Sequence, residues 1–516
     1  MIATEALGRE SNGIGTRIRQ AIESLIELDF THPLAFAALA FAYVLSRIPW
    51  VDHGYGTDPD AWRVALTASY LRDHADYLPS RLPGYPLHEY ITAVFVNRGW
   101  VWTNLSTVAI SLVGVLIFAA LVKKLALPNR GALVLAFAFA PLLWINSTTT
   151  MDYMWALTFV MGAYLALLYG ASALAGLSLG IATGFRMTSI FMLPIFWLLI
   201  RRTRQHNQIR PLTAITLAVA LAAFTPVLMN YGLNFFNFYD QKIPLGDFIR
   251  TLGKDGLGVI GALAVVIAVA LSWRRLRSLP RDIRDDPQVM VWVAAIALYF
   301  LSYTRLPHEI AYLIPLFPFG FFLMARYMSR VVLVACLTAI VLAGFVDFTR
   351  PGSDTGGLHI STFTSARIGK GMVLSDLETM RNQRDFAAEL RNMTASNPYM
   401  KRPAVITVGF IYPELVMLNK DSLKIGTLEK DISAISQLSD KGLATDREHQ
   451  VEYVWLLNYK TMQEFQHQGK TIYVTADAER STYEVYGYRP TYFGAIELPL
   501  SRDNPSMGKG AASTNR

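Results

Sequence analysis

The chain has 516 residues, 53% of them hydrophobic and only 17% charged, with a formal net charge of +8 and a mean hydropathy of +0.31. About a quarter of the residues in a soluble domain are charged, so these proportions exclude an ordinary soluble protein of this size. The excess base does not point to nucleic acid, because it sits in short loops between apolar runs; the single cysteine excludes an internal disulfide and a cysteine-built metal site.

Residues 1–30 are polar, with Ile14, Ile18, Ile22, Leu25 and Ile26 recurring at helical spacing. This predicts an amphipathic segment on the cytoplasmic surface rather than a cleavable signal. Apolar runs follow at 34–50, 102–122, 131–147, 153–169, 171–185, 187–200, 212–230, 257–273, 288–303, 310–326 and 330–346. A spanning helix needs roughly 20 apolar residues, fewer inside a bundle, so about eleven spans are expected. Two of them, 171–185 and 187–200, are short and meet at Arg186.

Sidedness follows from the basic loops: Lys123 and Lys124; Arg201, Arg202, Arg204 and Arg210; Arg274, Arg275, Arg277, Arg281 and Arg284; Arg326 and Arg330. With the N-terminus inside, all of them face the cytoplasm, where anionic lipid is the expected contact. The same parity turns 51–101, 148–152, the turn at Arg186, 231–256, 304–309 and everything after 347 outward. Acidic, histidine and aromatic residues gather in these outward segments.

From about residue 350 the composition becomes globular. A helix near 373–395, a strand at Val405–Phe410, a strand at Val451–Leu457, a helix near 460–468 and a strand at Ile472–Thr475 predict a small α/β domain. It carries no GxGxxG or Walker-type loop. The expected class is thus mainly α: a polytopic transmembrane helical bundle with a small C-terminal extracytoplasmic α/β domain. Its divisions are 1–30, 31–349, 350–503 and a disordered tail at 504–516.

The first outward loop holds Asp58 and Asp60 around Pro59, then an amphipathic helix over 60–72. A partly desolvated carboxylate there suits a general base, and a helix cap is the plain alternative. Asp152, in NSTTTMDYMW, shares their face, although an acid at a helix start needs no function. The outward cations are Arg81, Arg186 and Arg305. Surface arginines can snorkel, but Arg186 between two apolar runs implies a cavity or a partner. His53, Tyr55, Tyr85, His308 and Glu309 are candidates for an acceptor pocket. The histidines His53, His74, His88 and His308 lack metal-ligand spacing, so no cofactor is expected and a divalent metal has no support. The loop YGLNFFNFYDQK reads as an aromatic interface belt, although aromatics also stack on sugars.

Outward carboxylates, outward arginines and a long apolar wall suit glycosyl transfer from a polyprenyl phosphate. The leaving phosphate needs cations, the acceptor hydroxyl needs a base and the prenyl tail needs a groove. At this point the sequence resembles the GT-C superfamily, in particular the branch of protein O-mannosyltransferases, aminoarabinose transferases and lipopolysaccharide-core transferases. DPDAWR, the helix to Arg72 and PGYPLHEY stand in that branch's order, and Asp152, GLSLGIATGFRMTSIFMLP and TRLPHEIAYLIPLFP match its later elements. The resemblance spans roughly residues 30–350. It implies Asp60 as base with Asp58 as competitor, since the usual adjacent Asp-Glu pair is absent. It further implies Asp152 orienting the acceptor, and Arg186, Arg305 and Arg81 on the donor phosphate. The expected partners are a polyprenyl-phosphate sugar, a glycan, lipid or protein acceptor and membrane lipid, with the site outside a plasma or inner membrane. A transporter or flippase of a lipid-linked substrate is the rival, and should place charges near the midplane and show repeats. An inactive scaffold is the third reading.

Overall fold

The computed structural model describes residues 17, 19–233, 245–307, 309–349, 360–361, 367–398, 400–427, 442–457, 459–475 and 495–497. His308, the aromatic loop from residue 234 onward and the terminal 498–516 lie outside the described residues. The chain gathers into two interleaved compact units. Unit 1 is Met1–Gly56, Tyr85–Pro226 and Asn237–Thr379; unit 2 is Thr57–Gly84, Val227–Phe236 and Met380–Arg516. Residues 57–84, expected as an outer loop of the helical domain, therefore group with the tail.

The principal helices are α1 (Pro33–Val51), α2 (Pro59–His74), α3 (Pro86–Phe95), α4 (Trp100–Lys124), α5 (Arg130–Phe139), α6 (Pro141–Ser147), α7 (Tyr153–Leu168), α8 (Ser172–Phe185), α9 (Met192–Arg202), α10 (Ile209–Tyr231), α11 (Gly256–Leu271), α12 (Pro287–Tyr303), α13 (Leu316–Tyr327), α14 (Arg330–Leu342), α15 (Met372–Ser396), α16 (Tyr412–Leu418) and α17 (Tyr459–His467). Among the described residues, four helices are long and apolar enough to cross a membrane: Pro33–Val51, Trp100–Lys124, His206–Tyr231 and Phe248–Leu271. The number rises to six if two bent pairs each count as one span. The expected apolar runs are largely helical, but several helices are shorter than a simple span: α7, α8, α13 and α14 have 16, 14, 12 and 13 residues. The run at 187–200 divides into a 3-10 stretch, Met187–Phe191, and α9.

The break between α5 and α6 has a local cause. Pro141 has no amide hydrogen and Ala140 adopts φ −59, ψ 134, so the pair bends by 54°. Arg47, one turn before the end of α1 and fully buried, fills the gap. Its Nη2 donates to the Ala138 carbonyl, Nε to Ser147 Oγ at 3.2 Å and Nη1 to Tyr43 O at 3.2 Å. The guanidinium lies 3.5 Å from the Tyr43 ring centroid and 4.2 Å from that of Trp144. A charge inside the apolar bundle is thus held by carbonyls, hydroxyls and ring faces.

Helix α8 packs tightly because Gly176, Gly180 and Gly184 share one face. A Cβ on them would lie 2.7 Å from Leu212 O, 2.6 Å from Val219 Cβ and 2.6 Å from Leu87 Cδ1, respectively. Small residues at this spacing let membrane helices approach backbone to backbone. After α14, a small antiparallel sheet in the order β1-β3-β2 (Val346–Thr349, Arg367–Lys370 and Ile360–Ser361) completes unit 1. Its Asp347 accepts hydrogen bonds from the amides of Val259 and Ile260 at 2.8 and 3.0 Å, capping α11 where Gly258 kinks it at φ +73.

Unit 2 is built on a six-stranded mixed sheet in the order β5-β6-β7-β4-β8-β9. The strands are β4 (Ala404–Thr407), β5 (Lys424–Thr427), β6 (Gly442–Asp446), β7 (Val451–Val454), β8 (Thr471–Thr475) and β9 (Ala495–Glu497). Central β4 runs parallel to β7 and β8 and is buried on both faces, as its unbroken apolar run requires. Alternate residues face opposite ways. Ala404, Ile406, Val451 and Tyr453 pack with Leu390, Leu415 and Val416 of α15 and α16, and with Leu66 and Leu78 of the 57–84 segment. Val405, Val454 and Ile472 face Met462 and Phe465 of α17. Helix α2 is therefore one of the covers of this sheet.

Glu414 of α16 is 5% exposed, and burial pushes its carboxyl up to about 8, against the pull of Arg384. The folded state thus holds a proton that the unfolded chain releases near 4.5. Stability is fully present below that value and declines as pH rises through about 8. Glu414→Gln should remove the decline. Thermal melts at pH 5 and pH 9 should show wild type losing on the order of 2–4 kcal/mol relative to the variant at the higher pH. Parallel pH dependences in the two proteins would contradict this.

Candidate active site

In unit 2, the sequence DPDAWR sets a helix start. Asp58 takes the N-cap of α2 at φ −71, ψ 124, its Oδ1 accepting from the Asp60 amide at 2.9 Å, and Pro59 occupies the first helical position. The cap reading thus holds for Asp58, while Asp60 in the first turn is turned to other work. Asp60 Oδ1 accepts from Arg63 Nη1 at 3.1 Å, and Oδ2 pairs with Arg81 Nε at 2.9 Å. Arg81 is placed by a turn closed by the Gly84 amide on the Arg81 carbonyl at 2.8 Å. Gly84 sits there at φ +94, where a side chain would be strained and its Cβ would lie 3.0 Å from Val227. The Asp60 side chain remains 18% exposed. Each carboxylate oxygen has a second lone pair, so a hydroxyl can still donate to Asp60 while both arginines stay.

Arg63 has a second neighbour. Its guanidinium lies 5.0 Å over the Trp455 ring, and Phe410 meets the same indole edge-on at 5.0 Å. Arg63 escaped the sequence reading, although its place three residues after Asp60 on a helix was a usable signal. Trp455 left no local signal.

Unit 1 brings together Asp152, Arg186 and Tyr85. Helices α7 and α8 form a hairpin of similar arm lengths, so the residue before one and the residue after the other meet at one end. Arg186 Nη1 donates to Asp152 Oδ2 at 2.7 Å, with Asp152 fully buried and Arg186 4% exposed. The guanidinium is boxed by the rings of Tyr153, Tyr312 and Tyr85 at 4.1, 4.2 and 5.6 Å. Arg186 leaves helical geometry at φ −151, ψ 112 and sits at the C-terminal end of α8, where a cation is favoured. Asp152 does not cap α7 with its side chain.

Tyr55 is buried, and its carbonyl accepts from the Thr150 amide at 2.7 Å, tying the His53–Tyr55 corner to the segment before Asp152. His53 is half-buried. Asn104, which begins an N-x-S/T triplet, is fully buried and donates to the carbonyls of Val51 and Gly54. Arg305 is exposed after α12, and Glu309 is half-buried just before the 3-10 turn Ile310–Leu313 that carries Tyr312. Two buried groups were missed. Glu89 accepts from the Tyr85 amide at 3.3 Å in the first turn of α3. The buried Tyr299 hydroxyl has no hydrogen-bond partner among the described residues and lies within electrostatic reach of Arg186.

In unit 2, the acids and bases of the β6–β7 turn make a closed knot. Arg391 pairs with Asp446 at 2.7 Å and Glu448 at 3.1 Å, and His449 Nδ1 lies 2.9 Å from Asp446 Oδ2. Arg391 already neutralises both carboxylates, so this cluster reads as a fastening between α15 and the hairpin.

No family model matches the chain, and no curated protein matches it. Among solved structures, ArnT from Cupriavidus metallidurans in the apo state aligns with a TM-score of 0.53 and 13% identity, over 90% of this chain and 98% of that one. ArnT from the same organism bound to undecaprenyl phosphate aligns at 0.51 and 12%, with the same coverage.

Proposed function

We propose that this chain, which has the GT-C fold of ArnT, is a membrane glycosyltransferase. It moves a sugar from a polyprenyl-phosphate donor to a glycan, lipid or protein acceptor on the extracytoplasmic face. The observation that carries the reading is Asp60: a partly exposed carboxylate in the first turn of a helix, flanked by two arginines. The undecaprenyl phosphate bound to ArnT supports the donor class.

In this reaction the acceptor hydroxyl donates its proton to Asp60 as its oxygen attacks the anomeric carbon, and the bond from that carbon to the phosphate oxygen breaks on the opposite side. The sugar is inverted and polyprenyl phosphate leaves as an anion. A good leaving group needs cations more than a proton, and Arg81 is the candidate beside the base. Arg186 and Arg305 serve the donor phosphate in unit 1. Arg186 keeps donors beyond the one given to Asp152, and Asp152 holds it in orientation. His53, Tyr55, Tyr85, His308 and Glu309 remain the proposed acceptor contacts.

The test uses purified protein, undecaprenyl phosphate carrying a radiolabelled hexose, and envelope glycolipid as acceptor. Release of undecaprenyl phosphate, with label passing to the glycolipid, is expected. Movement of intact donor across vesicles without release would support the transporter reading instead.

A further inference from the structure

We propose that Trp455 and Arg63 are positioning residues for Asp60, so that the C-terminal α/β domain is a working part of the transferase rather than an accessory to it. The inference rests on Asp60 being the base.

Three observations lead there. First, residues 57–84 and the tail form one compact unit, and Leu66 and Leu78 are buried in the same core as Tyr412, Leu415 and Trp455. The helix that carries Asp60 is thus seated on the sheet. Second, Trp455 is fixed by the backbone of that sheet. It follows β7 directly, and the parallel ladder continues past it: the Val408 amide donates to Val454 O at 2.9 Å and the Gly409 amide to Trp455 O at 3.0 Å. Gly409 makes the exit from β4 at φ +57. Trp455 therefore stands at the carboxyl end of the parallel strands, where α/β sheets place their functional groups. Third, the indole, 6% exposed, touches Arg63 on one side and Phe410 on another. A rigid aromatic face limits where a guanidinium can lie, and Arg63 then limits where the Asp60 carboxylate can point.

The chain Trp455–Arg63–Asp60 joins a strand terminus to the proposed base through one cation–π contact and one ion pair. The reason for such a support is geometric. Asp60 sits on the first turn of a helix, and a displacement of about 1 Å at a reacting group costs on the order of 100-fold in rate.

The experiment is a double-mutant cycle on the full chain with the undecaprenyl-phosphate hexose assay. Trp455→Leu keeps an apolar side chain in the core but removes the ring face, and should lower kcat roughly 10- to 100-fold, with acceptor KM changed no more than about twofold. Trp455→Phe, which restores a ring, should recover most of the rate. Arg63→Met should cost as much as Trp455→Leu, and the double variant little more than either alone, because both act through one contact. Additive losses, or failure of Trp455→Phe to recover rate while thermal melts show all variants folded, would overturn the proposal. Asp60→Asn separates the two claims. If Asp60→Asn stays active, the base assignment itself fails; if it is inactive while the two losses add, only the positioning role fails.

Discussion

Asp60→Asn should abolish sugar transfer, with the rate falling by about 100- to 10,000-fold, the usual contribution of a positioned general base. The amide has nearly the shape of the carboxylate but takes no proton, so binding of undecaprenyl phosphate should survive. Folding should survive too. The pairs of Asp60 with Arg63 and Arg81 are largely buried, 10–18% exposed at their side chains, but the Asn oxygen can still accept from a guanidinium, and thermal melts of the variant check that the fold is kept. Asp58→Asn is the matched control. Asn caps a helix about as well as Asp, so this variant should keep near wild-type activity. Equal loss in both variants would mean that the DPD segment matters as a fold element and not as a base.

Removing one partner of the Asp152–Arg186 pair should have the largest effect on stability. Their side chains are 0% and 5% exposed, and breaking a buried pair leaves an uncompensated charge, at about 3–5 kcal/mol. Asp152→Ala should therefore unfold in detergent well below wild type. Asp152→Ala/Arg186→Met removes both charges and should melt closer to wild type than the single variant. Under the proposed role of Arg186 on the donor phosphate, that double variant should be folded yet inactive. A folded double variant that transfers sugar would make the pair purely structural.

Much of the fold was legible because the signals were local. The apolar runs predicted helices, the alternation after residue 350 predicted the strands near Val405, Val451 and Ile472, and GFRMTS marked Arg186 as a break between two apolar runs on the same side as Asp152. What escaped depended on partners distant in sequence. Arg47 reads as an anomaly inside a span until the carbonyl freed at the Ala140–Pro141 break is seen beside it. Leu66 and Leu78 are ordinary apolar residues of an amphipathic helix, and nothing local says that they belong to the core of a sheet more than 300 positions onward. Trp455 is one tryptophan among ten. The late start of α13 was also hidden, since hydropathy runs unbroken through the 3-10 turn Ile310–Leu313 and Pro315 that precede it.

The most direct test of the transferase reading follows a single isotope-labelled sugar on undecaprenyl phosphate by NMR during turnover with envelope glycolipid. One undecaprenyl phosphate should be released for each sugar transferred, and the product should carry the opposite anomeric configuration, with no product from Asp60→Asn. Retained configuration, or product formation by Asp60→Asn at the wild-type rate, would contradict displacement assisted by this carboxylate.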